Sequence, residues 1–289
     1  MKQPNLGAYI LAAPVHLLLA VTLTVPGLYI FWLSLNESTY GTGQVFVGFD
    51  NYVRIFNDPA FWRASTNTFI VVNAIVYVEI FLATLIAALF ASGVPLRPVM
   101  IALVLVPYSI SEVITVLVWK SLMNPSYGVI GRTLADMGLA MNWSASPVAG
   151  LTLVSIISIW QHLPFSVILI YAGMTAIPKS LYEAAEVDGA GRLQSFWRVT
   201  LPLLLPTLLI ALIFRFVFAF RLFSEVWLLT GGGPARMTEV LGVYLYRDAY
   251  REGAFGTAAA TGWIMVVGTL LIASLYLWLM QRSMRKGHV

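Results

Sequence analysis

Six long apolar stretches, separated by polar segments, set the pattern of this chain. They lie at residues 8–34, 67–91, 98–119, 149–176, 203–229 and 257–280. A helix that crosses the hydrocarbon core of a bilayer needs about 20 mostly apolar residues. Because each stretch reaches that length, the pattern predicts an all-α membrane protein with six transmembrane helices. We expect them to form a single transmembrane domain over residues 1–289.

The most distinctive polar segment, residues 177–202, lies between the fourth and fifth apolar stretches. Its charges and unpaired backbone groups exclude it from the lipid. Ser180 followed by Glu183 is typical of a capping box at a helix start. Gly189 is typical of a helix end, since glycine adopts left-handed dihedral angles without strain. We therefore expect two short helices, the second running from about Gly191 to the next span.

The same segment carries a spaced motif, and its residues are Glu183, Ala184, Ala185, Gly189, Val199, Leu201 and Pro202. It resembles the cytoplasmic coupling loop of binding-protein-dependent ABC importer permeases, whose pattern is EAA, three residues, G, nine residues and I-x-L-P. Val199 replaces the isoleucine. The resemblance implies the type I ABC importer permease fold. It also implies that ATPase coupling rests on Glu183, Ala184, Ala185, Asp188, Gly189, Leu201 and Pro202.

The resemblance gives the motif residues distinct roles. Glu183 would dock the loop into a cleft of the ATPase, although it could also cap its own helix, and both roles are compatible. Gly189 would set the angle between the two short helices. Ala184 and Ala185 would form a small-residue face that lets another backbone approach closely.

Three further loops, at 47–68, 119–134 and 228–260, are similar to those of the carbohydrate branch of this family, the maltose and glycerol-phosphate type. The short C-terminus is similar to that of the MalF-like first permease of such pairs. The resemblance implies a second homologous permease subunit, a homodimeric ABC ATPase, and a periplasmic or extracellular solute-binding protein. ATP and Mg²⁺ would be bound by the ATPase, so no cofactor is expected in this chain, and no nucleic-acid partner either.

Composition agrees with a membrane protein. Of 289 residues, 59% are hydrophobic and 10% are charged, whereas soluble domains carry roughly 25% charged residues. The absence of cysteine excludes disulfides and thiol nucleophiles. Neither glycine cluster, at 41–43 or 231–233, is followed by the Lys-Ser/Thr of a phosphate-binding loop. We therefore expect a permease subunit without catalytic activity.

Loop charges predict the orientation of the spans. The two termini together with residues 92–97 and 177–202 carry eight basic and three acidic residues, whereas the other loops carry seven of each. The basic side is expected to face the cytoplasm. The prediction is a multi-pass protein of the bacterial inner membrane with both termini in the cytoplasm, in contact with the lipid bilayer through its spans.

Five ionisable side chains fall inside or at the edge of the apolar stretches: Glu79, Glu112, Arg215, Arg221 and Glu225. An isolated charge at membrane depth costs about 2.5–3.5 kcal/mol or more, so each is a functional hypothesis by default. An arginine could line the solute path, or Arg215 could form an internal salt bridge with Glu79 or Glu112. Near Glu225 the family often reads F-D, but here Ser224 stands at the position of that aspartate.

The candidate solute-pathway residues are Arg215, Arg221, Glu112, Tyr108, Trp160 and Phe220. The aromatic rings could stack on a sugar, or they could belong to the interfacial belts and helix contacts common in membrane proteins. A neutral sugar and an anionic solute are both compatible with this set. Prolines 107, 164, 202 and 206 fall in or beside spans, where they act either as hinges or as static kinks.

Two other classes of membrane protein are the alternatives. An ion-coupled secondary transporter would use the intramembrane charges as coupling sites, but the chain has no obvious inverted repeat. An intramembrane enzyme would need a Ser–His pair, paired aspartates or an HExxH helix, and none of these occurs in the sequence. The EAA segment distinguishes the classes, because it has no purpose without a partner ATPase.

Overall fold

The computed structural model describes residues 6–41 and 43–286, with side chains for 11–41 and 43–282. Both chain ends lie outside these ranges, so the predicted cytoplasmic placement of the termini stays a prediction. The described residues form two compact units. One contains the described residues up to Phe61 together with 244–266, and the other contains 62–243 with the described residues from Val267 on.

Helices account for nearly all regular structure in the described residues, with one two-stranded antiparallel sheet. The first part contains α1 (Leu6–Leu19), a π-helical turn (Ala20–Thr24), α2 (Val25–Ser34), β1 (Asn36–Glu37), β2 (Val45–Phe46), α3 (Asp50–Phe56) and α4 (Pro59–Ala91). The middle contains α5 (Arg97–Leu105), a 3₁₀ turn (Pro107–Ser109), α6 (Glu112–Leu122), α7 (Val129–Asp136) and α8 (Pro147–Thr175). The last part contains α9 (Lys179–Val187), α10 (Arg192–Ser195), a π-helical turn (Phe196–Thr200), α11 (Leu201–Ala219), α12 (Ser224–Leu229), α13 (Leu241–Tyr250) and α14 (Phe255–Lys286).

Five helical segments in the described residues are long and apolar enough to cross a membrane. They are Leu11–Ser34, Pro59–Ala91, Pro147–Thr175, Arg192–Ala219 and Phe255–Arg282. A sixth span is present if α5 and α6 are counted together, although the two are bent by 96°. The all-α membrane fold is confirmed, and the predicted spans agree with the helices except at two breaks.

The predicted span 98–119 is wrong as a single helix, because the backbone turns between α5 and α6. Pro107 lacks the N–H that would continue the helix, and Ile110 adopts an extended conformation. The Gln161 side chain, from α8, donates from Nε2 to the carbonyls of Pro107 (3.0 Å) and Ile110 (2.7 Å). Carbonyls freed inside an apolar span need such partners, since lipid offers none.

The predicted span 203–229 is also wrong as a single helix. The helix ends at Ala219, and α12 begins only at Ser224. The Leu222 carbonyl in this break packs against Gly242, where an added Cβ would stand 2.6 Å from that oxygen. The α12 end is tied to α6 by Lys120, whose Nζ donates to the Leu228 carbonyl (2.7 Å). Tertiary contacts therefore hold the break in place.

Helix α8 lies at the centre of the second unit. It packs against α5, α6, α11 and α12. Half of the residues in its most apolar stretch are buried, compared with 6% of those in the corresponding stretch of Leu11–Ser34. Val167, Ile170 and Met174 contribute its side of a core shared with α4 and α11. The exposed apolar faces elsewhere are what a lipid-facing surface requires.

The contact between α8 and α11 depends on a glycine. A Cβ at Gly173 would stand 2.7 Å from Cγ2 and 3.0 Å from Cβ of Thr207. We expect Gly173→Val to lower the free energy of unfolding by about 1–3 kcal/mol, because overpacking forces helices apart. Thermal unfolding of the detergent-solubilised protein measures the loss. Gly27→Val is the matched control, since no atom lies within 4 Å of a Cβ there, and equal stability of the two variants would contradict the prediction.

The first unit contains the sheet, with Asn36 paired to Phe46 and Glu37 to Val45. Asn51, on α3, donates from Nδ2 to the carbonyls of Ser34 and Asn36, each at 2.9 Å. Because Asn51 is buried, these bonds fix α3 against the end of the first apolar span.

Candidate functional site

The coupling segment, residues 177–202, begins with α9 and a glycine-terminated turn. Gly189 has a φ of +80°. Its N–H donates to the Glu186 carbonyl (2.9 Å), and the Ala190 N–H donates to the Ala185 carbonyl (2.9 Å). These two bonds form a Schellman motif, which places Asp188 at the C-cap. The predicted helix end at Gly189 is confirmed.

The predicted N-cap at Ser180 is wrong. Helix α9 begins at Lys179, with Pro178 as the N-cap and no side-chain capping bond. Pro178 holds an extended backbone (φ −59°, ψ 134°) that sets the helix start before Ser180 is reached. Glu183 is therefore inside the helix and exposed, and it forms no ion pair among the described residues. Ala184 is exposed and Ala185 is half-buried.

The second short helix, predicted to run from about Gly191 to the next span, begins at Arg192 and is continuous with that span. Helical backbone runs from Arg192 through the π-helical turn into α11 without interruption. Leu201 is half-buried and Pro202 is exposed, and the proline lies at the beginning of α11, after the π-helical turn. A hydrogen bond between the hydroxyls of Tyr182 and Thr200 (3.0 Å) ties α9 to the base of α11.

Three apolar side chains of the coupling segment are strongly exposed. Val187 is 88%, Leu193 72% and Trp197 59% exposed. A polar segment that also presents large apolar side chains is typical of a surface covered by another protein. The arrangement suits a loop that transmits motion, since α9 is connected to α11 through both the chain and the Tyr182 hydroxyl.

A cavity of about 450 Å³ lies among α8, α11 and the two helix breaks. Its lining residues are Glu112, Ser158, His162, Arg215, Phe218, Ala219, Arg221, Leu222, Phe223, Ser224 and Glu225. Irregular backbone within apolar spans is tolerated only where it is buried in protein or lines a cavity. The two breaks therefore have a structural purpose, which is to bring polar side chains to a cavity between spans.

Arg215 on α11 and Glu79 on α4 form a buried ion pair. The arginine Nε donates to Glu79 Oε2 (2.8 Å), and its Nη2 lies 2.6 Å from the same oxygen. Ser166 on α8 donates to Glu79 Oε1 (2.5 Å). Of the two salt bridges left open by the sequence, the one with Glu79 is observed. It joins three helices, and it neutralises the arginine that borders the cavity.

The other charged residues of the cavity come from the breaks. Arg221 follows the end of α11 and is exposed, and it forms no ion pair among the described residues. Glu112 begins α6. Glu225, on α12, lies next to Glu112 and Ser158. The sequence predicts Glu225 as an intramembrane charge but not as a pathway residue, because its place in the cavity depends on the helix break before α12.

The aromatic candidates lie outside this cavity. The Tyr108 ring stacks on Phe165 with centroids 6.3 Å apart. Trp160 contacts Trp119 edge to face and lines a separate apolar cavity of about 230 Å³. Phe220 packs near Gly268 of α14. The structure thus brings together Arg215, Arg221 and Glu112, but not the three rings.

Among the described residues, no three His, Asp or Glu side chains converge as metal ligands would.

Comparisons with known proteins give similarities along nearly the whole chain. The family model described as binding-protein-dependent transport system inner membrane component matches residues 10–285. The trehalose/maltose transport system permease protein MalF of Thermococcus litoralis is 33% identical over 282 residues, covering 96% of this chain and 94% of that protein. The sulfoquinovosyl glycerol transport system permease protein SmoG of Agrobacterium fabrum is 32% identical, covering 94% and 90%. A chain in the crystal structure of a bacterial alginate ABC transporter, in complex with an alginate pentasaccharide-bound periplasmic protein, is 26% identical with a TM-score of 0.81, covering 95% and 94%.

Proposed function

The chain belongs to the family of binding-protein-dependent transport system inner membrane components, and on that premise we propose that it forms half of a carbohydrate translocation pathway. It is a multi-pass transmembrane permease subunit of an ABC importer. The finer proposal is that the solute is a carbohydrate or carbohydrate-like molecule and that ATP hydrolysis by a partner drives its import. The comparisons give no support to the ion-coupled alternative.

One observation carries the proposal. The polar cavity lies at the two breaks in the spans, and α11, which borders it, runs from there to the coupling segment. Arg215, Phe218 and Arg221 border the cavity at one end of α11. The other end of α11 is bonded to α9 through Thr200. A displacement of α9 is therefore transmitted along a single helix to the wall of the cavity. A rigid element that joins the two sites is one physical means of coupling a remote energy source to a solute site.

The proposed partners follow from this arrangement. A homodimeric ABC ATPase binds ATP and Mg²⁺ and docks on α9, with Glu183, Ala184, Ala185, Asp188 and Gly189 at the contact and Leu201 and Pro202 at its base. This chain performs no covalent chemistry. A second homologous permease subunit supplies the other half of the pathway. A solute-binding protein docks on the opposite face. The similar alginate ABC transporter, which was crystallised in complex with a periplasmic protein, supports this proposal.

The proposed solute class rests on relatives and on the cavity. Two relatives are named as permeases for trehalose or maltose and for sulfoquinovosyl glycerol, all of which are hydroxyl-rich. The cavity offers charged and hydroxyl side chains suited to hydrogen bonds with such molecules. We further propose that the protein resides in a bacterial inner membrane with the coupling segment and both termini in the cytoplasm.

The test is purification of the tagged chain from detergent-solubilised membranes, followed by reconstitution into vesicles. We expect a second permease and an ATPase to co-purify, and we expect uptake of trehalose to depend on ATP inside the vesicles and on the binding protein outside. Uptake that proceeds without ATP and responds to an ion gradient would overturn the proposal. ATP-dependent uptake of an amino acid but not of any sugar would overturn the solute class alone.

A further inference from the structure

Helix α3 has an exposed apolar face, formed by Phe49 at its N-cap, Val53 and Phe56. These three side chains are 66%, 57% and 48% exposed. Successive residues of a helix are about 100° apart, so positions i, i+4 and i+7 lie on one side of it. Asn51 and Ile55, which are buried, lie on the opposite side. The α3 apolar face is therefore turned away from the protein interior.

The polar side chains of α3 lie on one flank of this face only. Asp50, Arg54 and Asn57 are exposed and form that flank. The other flank is Tyr52, whose hydroxyl is hydrogen-bonded to Ser34 Oγ (2.8 Å) at the end of α2. The α3 apolar face is therefore continuous with the end of the first span. A helix with separate buried, apolar and polar sides is typical of one that lies along a membrane interface.

The level of α3 relative to the bilayer follows from its attachment to the first span. That span, Leu11–Ser34, has 24 residues and is about 36 Å long, whereas the hydrocarbon core is about 30 Å thick. Its end at Ser34 therefore lies close to the boundary between hydrocarbon and headgroups. Asn51 holds α3 at that end through its bonds to the carbonyls of Ser34 and Asn36, each at 2.9 Å. The α3 apolar face is thus fixed at the level of the membrane surface.

Two aromatic side chains of α2 mark the same level. Tyr29 and Trp32 are exposed, and their rings stack with centroids 6.0 Å apart. Both lie in the last two turns of the helix, which ends at Ser34. Tyrosine and tryptophan are enriched where spans leave the hydrocarbon, because their rings are amphipathic. The span therefore presents interfacial side chains beside the point where α3 is attached.

We propose that the α3 apolar face binds the lipid bilayer, with Phe49, Val53 and Phe56 inserted between the headgroups and the upper acyl chains beside the first span. The inference rests on the membrane location of the spans and is independent of the transported solute. Removal of apolar side chains from water drives the insertion. Asp50 and Arg54 carry opposite charges, so binding does not depend on anionic lipids. The helix is then an anchor that determines how far the end of the first span extends from the bilayer.

The competing occupant of this face is another protein, either the solute-binding protein or the partner permease. A protein interface has an apolar centre surrounded by a polar rim. The α3 apolar face has polar side chains on one flank only, and on the other it continues to the exposed apolar surface of the first span. This arrangement favours lipid.

The absence of cysteine from the chain permits a direct test with single spin labels. Val53→Cys places a label on the apolar face, and Asp50→Cys places one on the polar flank. Each variant is assembled with the partner permease and ATPase, with any cysteines of the partners replaced, in nanodiscs of phosphatidylcholine. EPR measures collisions of the label with oxygen, which partitions into lipid, and with a nickel chelate, which stays in water. We expect the label at position 53 to lie about 5–10 Å deep in the boundary between headgroups and acyl chains, and the label at position 50 to collide mainly with the nickel chelate.

Two further variants give the test its controls. Leu17→Cys is the reference for a lipid-exposed label within the first span, because Leu17 is exposed there. Phe49→Cys repeats the measurement on the α3 apolar face, so that a disturbance caused by one substitution does not decide the result. Equal collision of the labels at positions 53 and 50 with the nickel chelate would overturn the inference, since the face would then lie in water. It would also be overturned if the labels at positions 53 and 49 collided with neither reagent, in the complex alone or after addition of the solute-binding protein, since a protein would then cover the face.

Discussion

Replacing Gly189 by valine is expected to reduce solute uptake to background while the protein still inserts and assembles. Gly189 has a φ of +80°, and no atom lies within 4 Å of the position a Cβ would take. The effect therefore comes from the backbone, because a β-branched residue in the left-handed region costs about 1–3 kcal/mol. Relief of that strain breaks the Schellman turn and changes the angle between α9 and α10. ATP-dependent uptake by reconstituted vesicles measures the result.

The adjacent chain offers a matched control for this prediction. Gly191 has an ordinary φ of −71° with an extended ψ of 167°, and it too has no atom within 4 Å of a Cβ. Gly191→Val is expected to transport normally, because valine favours extended backbone. Gly189→Asn is expected to recover part of the activity, since asparagine tolerates the left-handed region. Equal uptake by Gly189→Val and Gly191→Val would show that the turn does not transmit the ATPase motion.

Replacing Arg215 by methionine is expected to destabilise the protein by about 3–5 kcal/mol. The change leaves the Glu79 carboxylate buried, with the 2.5 Å bond from Ser166 as its remaining partner in place of the arginine. An uncompensated buried charge costs far more than the pair contributes. Chemical unfolding of the detergent-solubilised protein measures the loss.

The double variant Glu79→Gln with Arg215→Met tests the cause. We expect it to recover most of the lost stability, because no charge is then left buried. Arg221→Met is the control for loss of an arginine in the same region, and it is expected to unfold like wild type, since Arg221 is exposed. If Arg215→Met and Arg221→Met were equally stable, the ion pair would have no structural importance.

The existence of the spans could be predicted from the sequence, because hydropathy over about 20 residues is a strong signal. The helix end at Gly189 could also be predicted, since the Asp-Gly pair is a local signal and the turn that forms there depends on local bonds. Local signals misled at Ser180, where Pro178 starts the helix first. In all three cases the structure depends on residues that are close together in the sequence, so the relevant signals are present in the sequence itself.

The helix breaks required information that is not local. The segment around Phe220 contains neither proline nor glycine, and an apolar run looks the same whether it forms one helix or two. The packing of Gly242 against the Leu222 carbonyl determines the outcome there. At Pro107 a local signal was present, but a proline within an apolar span is equally compatible with a kinked continuous helix. The Gln161 side chain that supports the turn is 51 residues from Ile110.

The site could be predicted in part. Arg215 was expected either to line the solute path or to pair with an acid. It is bonded to Glu79 and borders the cavity that we propose as the path. The choice between Glu79 and Glu112 depends on how helices pack, which charge and spacing do not encode. Glu225 was not assigned to the pathway, because its place in the cavity depends on the break before α12. The roles of the coupling residues and of the aromatic candidates stay predictions.

The two hydrogen bonds from Gln161 determine how the third span moves. A proline-induced turn bends easily when its freed carbonyls are bonded only to water, since water exchanges partners at little cost. Here one side-chain amide of α8 holds both carbonyls, at 3.0 and 2.7 Å. Bending at Pro107 would break both bonds in an apolar environment, where no replacement is available. The turn is therefore a fixed corner, and α5, α6 and α8 are expected to travel through the transport cycle as a single rigid body.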